Sequence, residues 1–263
     1  MKNSVFYYFL LFALAIYNII FSNLVGEIII MSSLILKLIA CVCMFCDHFS
    51  DAFLGGITFL NYIGRFSFTI FAFQIAQGYI HTHNIKKYIG RLFIFALISQ
   101  IPYMLFYNVV FNKIFVANVI FTLLFGLLVI LVYDKYNKFV GICSLLALGM
   151  FAEVCNFDYG FYGVFIVFMF YLLHSKKTYM AITFVLSVIA KYGISLIKYS
   201  IPLYDLFLGN TYSMCMYFTC FSIIPILFYN GKKGKDIKYL FYIFYPLHLF
   251  VLALISYLTS VTI

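Results

Sequence analysis

The sequence predicts an all-α fold, a polytopic transmembrane bundle of about ten helices, and three observations carry that prediction. Of the 263 residues, 66% are hydrophobic and 22% aromatic. Charged residues make up 10%, where soluble domains carry about 25%. Apolar windows of about 20 residues, the length that crosses a hydrocarbon core, recur from one end of the chain to the other. No Pro/Ser-rich linker interrupts them, so residues 1–263 read as one membrane domain.

Breaks at Gly, Asn, Lys and Pro clusters divide the apolar pattern into spans at 4–24, 30–52, 57–80, 89–108, 115–133, 139–155, 159–174, 178–197, 211–229 and 239–260. The first span reads as a retained helix, since a single lysine precedes it and no A-x-A cleavage site follows. Residues 198–212 have room for a re-entrant piece. Orientation follows from the basic residues. The connections "HTHNIKK" with Arg91, "DKYNK", "HSKK" and "GKKGKDIK" are every second one from the third span onward. They hold eleven of the 17 Lys and Arg: Lys86, Lys87, Arg91, Lys135, Lys138, Lys176, Lys177, Lys232, Lys233, Lys235 and Lys238. Positive charge stays on the cytoplasmic side, so these loops face inward and the connection at 52–57 faces outward. With ten spans both termini then lie outside.

The net charge of +9 suggests nucleic acid in a soluble chain; here it orients helices, and no nucleic-acid partner is expected. Membrane lipid is the expected surrounding, in a multi-pass arrangement in the cell membrane. The seven cysteines fall mostly within apolar runs and read as free buried thiols. Cys41, Cys43 and Cys46 lack a second ligand cluster, so no metal site is expected.

Chemistry concentrates at "CMFCDHFSD", residues 43–51. The chain has only 8 acids and 5 histidines, yet Asp47, His48 and Asp51 fall within five positions on one broad helical face. One reading is a polar helix end leaving the bilayer. The other is an acid–base device, because charge at membrane depth is costly and turns inward, pairs or marks function. Arg65, one of two arginines in a lysine-rich chain, favours the second. Pairing with Asp47 or Asp51 would neutralise it and leave His48 beside a carboxylate, as a general base. Further along, Gln74, Gln77, Gly78 and His81 share a helical face that leads to the basic patch of His81, His83, Lys86, Lys87 and Arg91. That patch reads either as orienting charge or as a phosphate site. Asn118, Glu153, Asp158 and His248 are the other polar residues at predicted helix ends.

Residues 47–102 resemble the TraX family, integral membrane proteins named for pilin acetylation. The resemblance rests on Asp47-His48, Gly64-Arg65-Phe66, Phe71-Ala72-Phe73 with Gly78, and Thr82-His83-Asn84. Lys87-Tyr88 with Arg91-Leu92 and Ser99-Gln100-Ile101-Pro102 continue it. "NVIFTLLFGL" (118–127), "FDYGFYGV" (157–164) and "FYPLHL" (244–249), the last with Tyr245 and His248, extend it over most of the chain. Residues 1–30 then look like an added N-terminal helix or a divergent first one. Thr69 stands where the family usually has proline, and Gln77 where glutamate is frequent. The resemblance implies an acyltransferase that takes an acyl group, foremost acetyl, from acetyl-CoA on the cytoplasmic side, with no metal. Its acceptor would be an amine or hydroxyl at the outer face, on an exported protein, a glycan or a lipid. It carries the catalytic role to His48, directly or through a transient acyl-His stage. Asp47 or Asp51 would orient it, Arg65 would hold the carboxylate or an oxyanion, and the 81–91 patch would hold the coenzyme phosphates. The alternative is a transporter or channel, with Asp47, His48 and Arg65 as proton relay or anion site.

Overall fold

The computed structural model describes residues 31–198, 211–235 and 238–261, with no account of the side chains of 194–198, 211–213, 238–240 and 260–261. The described residues are helical apart from short connections and isolated bridges. The helices are α1 (Ser33–Phe53), α2 (Phe59–Gly64), α3 (Phe66–His81), α4 (Ile85–Phe111), α5 (Val119–Lys135), α6 (Lys138–Val154), α7 (Gly160–Leu172), α8 (Lys177–Lys198), α9 (Thr211–Phe218), α10 (Ile223–Leu227) and α11 (Lys238–Val261). A 3₁₀ turn at Thr219–Ser222 joins α9 to α10.

These make nine helical runs among the described residues, against the ten or so expected; the expected span 4–24 and the re-entrant piece at 198–212 lie outside the described residues, save 198 and 211–212. The third expected span is divided at Arg65, which ends α2 and begins α3. The fourth is longer than the apolar run alone predicts, because the Asn84 side chain caps it by accepting from Lys87 N–H at 2.9 Å. Pro102 sits inside it without ending it. Among the described residues three helices, α1, α4 and the 241–259 part of α11, are long and apolar enough to cross a membrane. All seven cysteines are free thiols, with Cys41, Cys43 and Cys215 buried but Cys143 and Cys155 exposed.

Two apolar cores organise the packing. The larger joins α1, α3, α5, α7 and the 211–229 region around Leu36, Ile70, Leu127, Ile166 and Ile226, all fully buried. The smaller joins α1, α4 and α11 through Met44, Tyr103, Phe106, Tyr245 and Leu249. It is this second core that brings residue 48 against residue 248.

The basic connections gather at one end of the helices. Asp134 accepts from Tyr79 Oη at 2.8 Å and from Tyr171 Oη at 3.0 Å, which ties three helix ends together. Lys177 Nζ donates to the carbonyls of Leu227 and Tyr229, both at 3.0 Å, and Met31 pairs with Tyr229. At the other end, Ala117 pairs with Phe157, and Thr122 donates to the Asp158 carbonyl.

Close approach of α5 and α7 depends on Gly126: a Cβ there would come within 2.5 Å of the Val167 Cβ. Gly126→Ala is expected to cost about 1–3 kcal/mol by overpacking. Gly90, also helical, has open space around it, so Gly90→Ala should be neutral or stabilise by up to about 1 kcal/mol. Thermal unfolding of both variants in the same detergent checks the pair; equal midpoints would contradict this packing.

Candidate active site

The site begins where α1, α2 and α3 meet. Gly64 lets α2 lie directly on α1, since a methyl at that position would overlap the Asp47 side chain. Asp47 then forms an ion pair with Arg65, and the two side chains are 13% and 19% exposed. Arg65 Nε also donates to the Asn61 carbonyl at 3.3 Å. Asp47, of the two expected alternatives, is the arginine's partner.

Asn61 binds this arrangement together and was not singled out by its sequence context. Its Nδ2 donates to Asp47 Oδ1 at 3.1 Å and to Asp51 Oδ1 at 2.8 Å. Its Oδ1 accepts from Ser50 Oγ at 2.7 Å and from Thr58 N–H at 2.9 Å. Asn61 is 4% exposed and Ser50 fully buried, so every polar atom here needs a partner inside the protein. The signal that could have revealed Asn61 is the Thr58-x-x-Asn61 capping box, with Arg65 one turn later.

A carboxylate is not what holds the His48 ring. Its Nδ1 lies 2.9 Å from Nε2 of His248 on α11, and His248 Nδ1 lies 2.8 Å from the Phe244 carbonyl. The expectation of an acid beside His48 fails for a geometric reason. Neighbours on a helix diverge by about 100°, so Asp47 turns to Arg65 and Asn61 while His48 turns to α11.

A cavity of about 870 Å³ contains this cluster. Its charged lining is balanced: Asp47, Asp51 and Asp158 against Arg65, Lys113 and Lys191. Lys191 stands over the Tyr162 ring at 4.2 Å, with the Tyr159 and Tyr192 rings at 5.6 and 5.3 Å. Asp158 belongs to the loop after α6. Burial pushes its carboxyl up to about 6, with the Arg65 charge opposing.

A second cavity, about 490 Å³, lies toward the basic end. Gln74, Gln77, Gly78 and His81 all line it, as their shared helical face predicts. Arg91 joins them, together with Lys37 and Lys233, which come from other elements; His83, Lys86 and Lys87 are not among its lining residues. No carboxylate lines it among the described residues. Two buried donors in its wall, Gln74 Nε2 and Arg91 Nε, have no hydrogen-bond partner among the described residues. Met44, Phe71, Val119 and Tyr245 line both cavities and form the partition between them.

Two other candidates hold structure. Asn118, fully buried, donates to the Ala96 carbonyl at 2.8 Å and caps α5 by accepting from Ile120 N–H at 3.0 Å. Glu153 accepts from Phe161 N–H at 2.9 Å and anchors the start of α7.

Asn61→Leu preserves volume but removes the donor shared by Asp47 and Asp51 and the acceptor of the Thr58 N–H. The expected loss is about 2–3 kcal/mol, since each buried orphan costs about 1–3 kcal/mol. Thermal or denaturant unfolding measures it, and a loss under about 0.5 kcal/mol, the level of an ordinary surface change, would show that Asn61 does not hold the site.

Comparison with known proteins extends the resemblance seen in the sequence. The family described as TraX protein matches residues 32–256. The chain is also similar to a probable fimbrial assembly protein FimC, serogroup H1, of Dichelobacter nodosus. The two are 28% identical over 241 residues, covering 82% of this chain and 92% of the relative. No solved structure matches. A match from the first described helix to near the end of α11, spanning both cavities, shows that this chain belongs to the TraX family.

Proposed function

We propose that this protein is a multi-pass membrane acyltransferase that moves an acyl group, foremost acetyl, from cytoplasmic acyl-CoA to an amine or hydroxyl at the outer face. One observation carries the reading: two cavities of opposite character share a partition of four side chains. The balanced cavity holds the histidine, carboxylates and arginine that acid–base chemistry needs. The other offers Lys37, Arg91, Lys233 and His81, with no acid among the described residues that line it, a set suited to phosphates. Coenzyme A carries phosphates at one end and the thioester at the other. From Arg65 to His81 a helix rises about 24 Å, a span that an extended pantetheine arm matches. Exposed apolar side chains such as Val42, Ile101 and Leu247 fit lipid contact.

In this reading His48 takes the proton of the acceptor as it attacks the thioester carbonyl. Arg65, kept in place by Asp47 and Asn61, stabilises the negative charge that develops on the carbonyl oxygen. The partition lies between the coenzyme's phosphates and the acceptor. A relative named as a fimbrial assembly protein agrees with an acceptor that is exported.

His48→Ala is expected to lower transfer about 10²–10⁴-fold, the contribution of a general base, with insertion unchanged. The measurement is release of coenzyme A thiol, with mass spectrometry of the acceptor, in proteoliposomes supplied with acetyl-CoA. Wild-type turnover in this variant would remove His48 from the chemistry. A protein that conducts an anion and ignores acetyl-CoA would be a carrier instead.

Replacing Lys37, Arg91 and Lys233 with Gln is expected to raise the donor KM at least about 10-fold, from the loss of charge-assisted bonds. The acceptor KM should stay near its original value. Lys86→Gln with Lys87→Gln, outside the cavity lining, should change the donor KM much less. Impermeant thiol labelling of single cysteines in a cysteine-free background tests sidedness: positions 86 and 233 should be shielded in intact cells and position 56 accessible. Reversed labelling would overturn a cytoplasmic donor.

A further inference from the structure

We propose that His248 is the positioning residue of this site: it sets the tautomer of His48, so that Nε2 is the ring nitrogen that carries the basic lone pair. The inference rests on His48 acting as the base and identifies which atom does so.

A single backbone carbonyl fixes the order of the protons. The Phe244 oxygen can only accept, so His248 Nδ1, 2.8 Å away, must carry a proton and donate it. In a neutral His248 the other nitrogen, Nε2, is then an acceptor. It lies 2.9 Å from His48 Nδ1, so that nitrogen in turn must be protonated. A neutral His48 is left with its lone pair at Nε2. The opposite assignment would bring the His248 Nδ1 lone pair against the carbonyl oxygen, two acceptors in contact with no proton between them.

The rings are held well enough for this order to persist. His248 is 6% exposed and stacks on Phe244 with centroids 4.6 Å apart and planes 10° apart. His48 packs edge-on against Phe106, centroids 5.1 Å apart. The carboxylates nearby are engaged elsewhere, Asp47 with Arg65 and both acids with Asn61. A neutral imidazole therefore does the orienting work that a carboxylate does in acid–histidine pairs, without adding negative charge beside the base. The step balances. The acceptor's N–H or O–H bond breaks as an Nε2–H bond forms, and the acceptor–acyl bond forms as the thioester C–S bond breaks. The same proton then leaves on the thiolate as coenzyme A thiol.

Two variants separate positioning from bulk. His248→Gln supplies an amide oxygen to accept from His48 Nδ1–H and an amide N–H to donate to Phe244. His248→Phe fills the space and offers neither. The first readout needs no turnover: ¹⁵N spectra of ring-labelled histidine in nanodiscs, with the His48 signals assigned by their loss in His48→Ala. Wild type and His248→Gln should show protonated Nδ1 and bare Nε2, whereas His248→Phe should show a mixture. The second is kinetic. His248→Gln should keep kcat within about 3-fold, while His248→Phe should lose about 10²-fold, the low end of a base's contribution, with both KM values unchanged. A His48 tautomer that survives in His248→Phe overturns the proposal whatever the rates. Equal kcat losses in the two variants overturn it as well. Expected tautomers in a wild-type protein that transfers no acyl group would instead overturn the acyltransfer reading and leave the positioning in place.

Discussion

Asp47 and Arg65 neutralise each other inside an apolar body, and much else in the structure exists to permit it. Charges at such depth are tolerated only when paired and hydrogen-bonded. The pair needs α1 and α2 at close range, which the bare backbone of Gly64 allows. It needs a donor that satisfies the remaining carboxylate oxygens, which Asn61 supplies to both Asp47 and Asp51. Asn61 in turn is fixed by Ser50 and by the Thr58 cap. A single ion pair therefore goes with a glycine, an amide, two hydroxyls and the break between α2 and α3.

The same economy separates the two cavities. Polar groups of α1 and α3 are spaced so that one end of each helix faces a charge-balanced chamber and the other a cationic one. Only four side chains intervene, and three of them, Met44, Phe71 and Val119, are apolar. The fourth, Tyr245, is 7% exposed.

What was legible in the sequence had a local cause. Asp47 and Arg65 stood out because ionisable residues inside apolar runs are rare and expensive. The face of Gln74, Gln77, Gly78 and His81 followed from helical spacing, and all four do line one cavity. What was not legible had a distant cause. Lys37 and Lys233 come to the same chamber as Arg91 although nothing in their neighbours announces it. His83, Lys86 and Lys87 sit in the same basic run and stay out of it, because a run of charge has no direction until the helices pack.

The sequence by itself determined the helical class, the approximate span limits, the family and the pair of helices that carry Asp47, His48 and Arg65. The family follows from matching motif residues such as Asp47-His48 and Gly64-Arg65-Phe66; the rest follows from composition, period and the cost of charge in an apolar medium, which act over a few turns of chain. The tertiary structure alone decided that His48 meets a histidine 200 positions away rather than the acid beside it. Adjacent residues on a helix point apart, so the partner of a buried side chain is chosen by whichever helix packs against its face. For α1 at His48 that helix is α11.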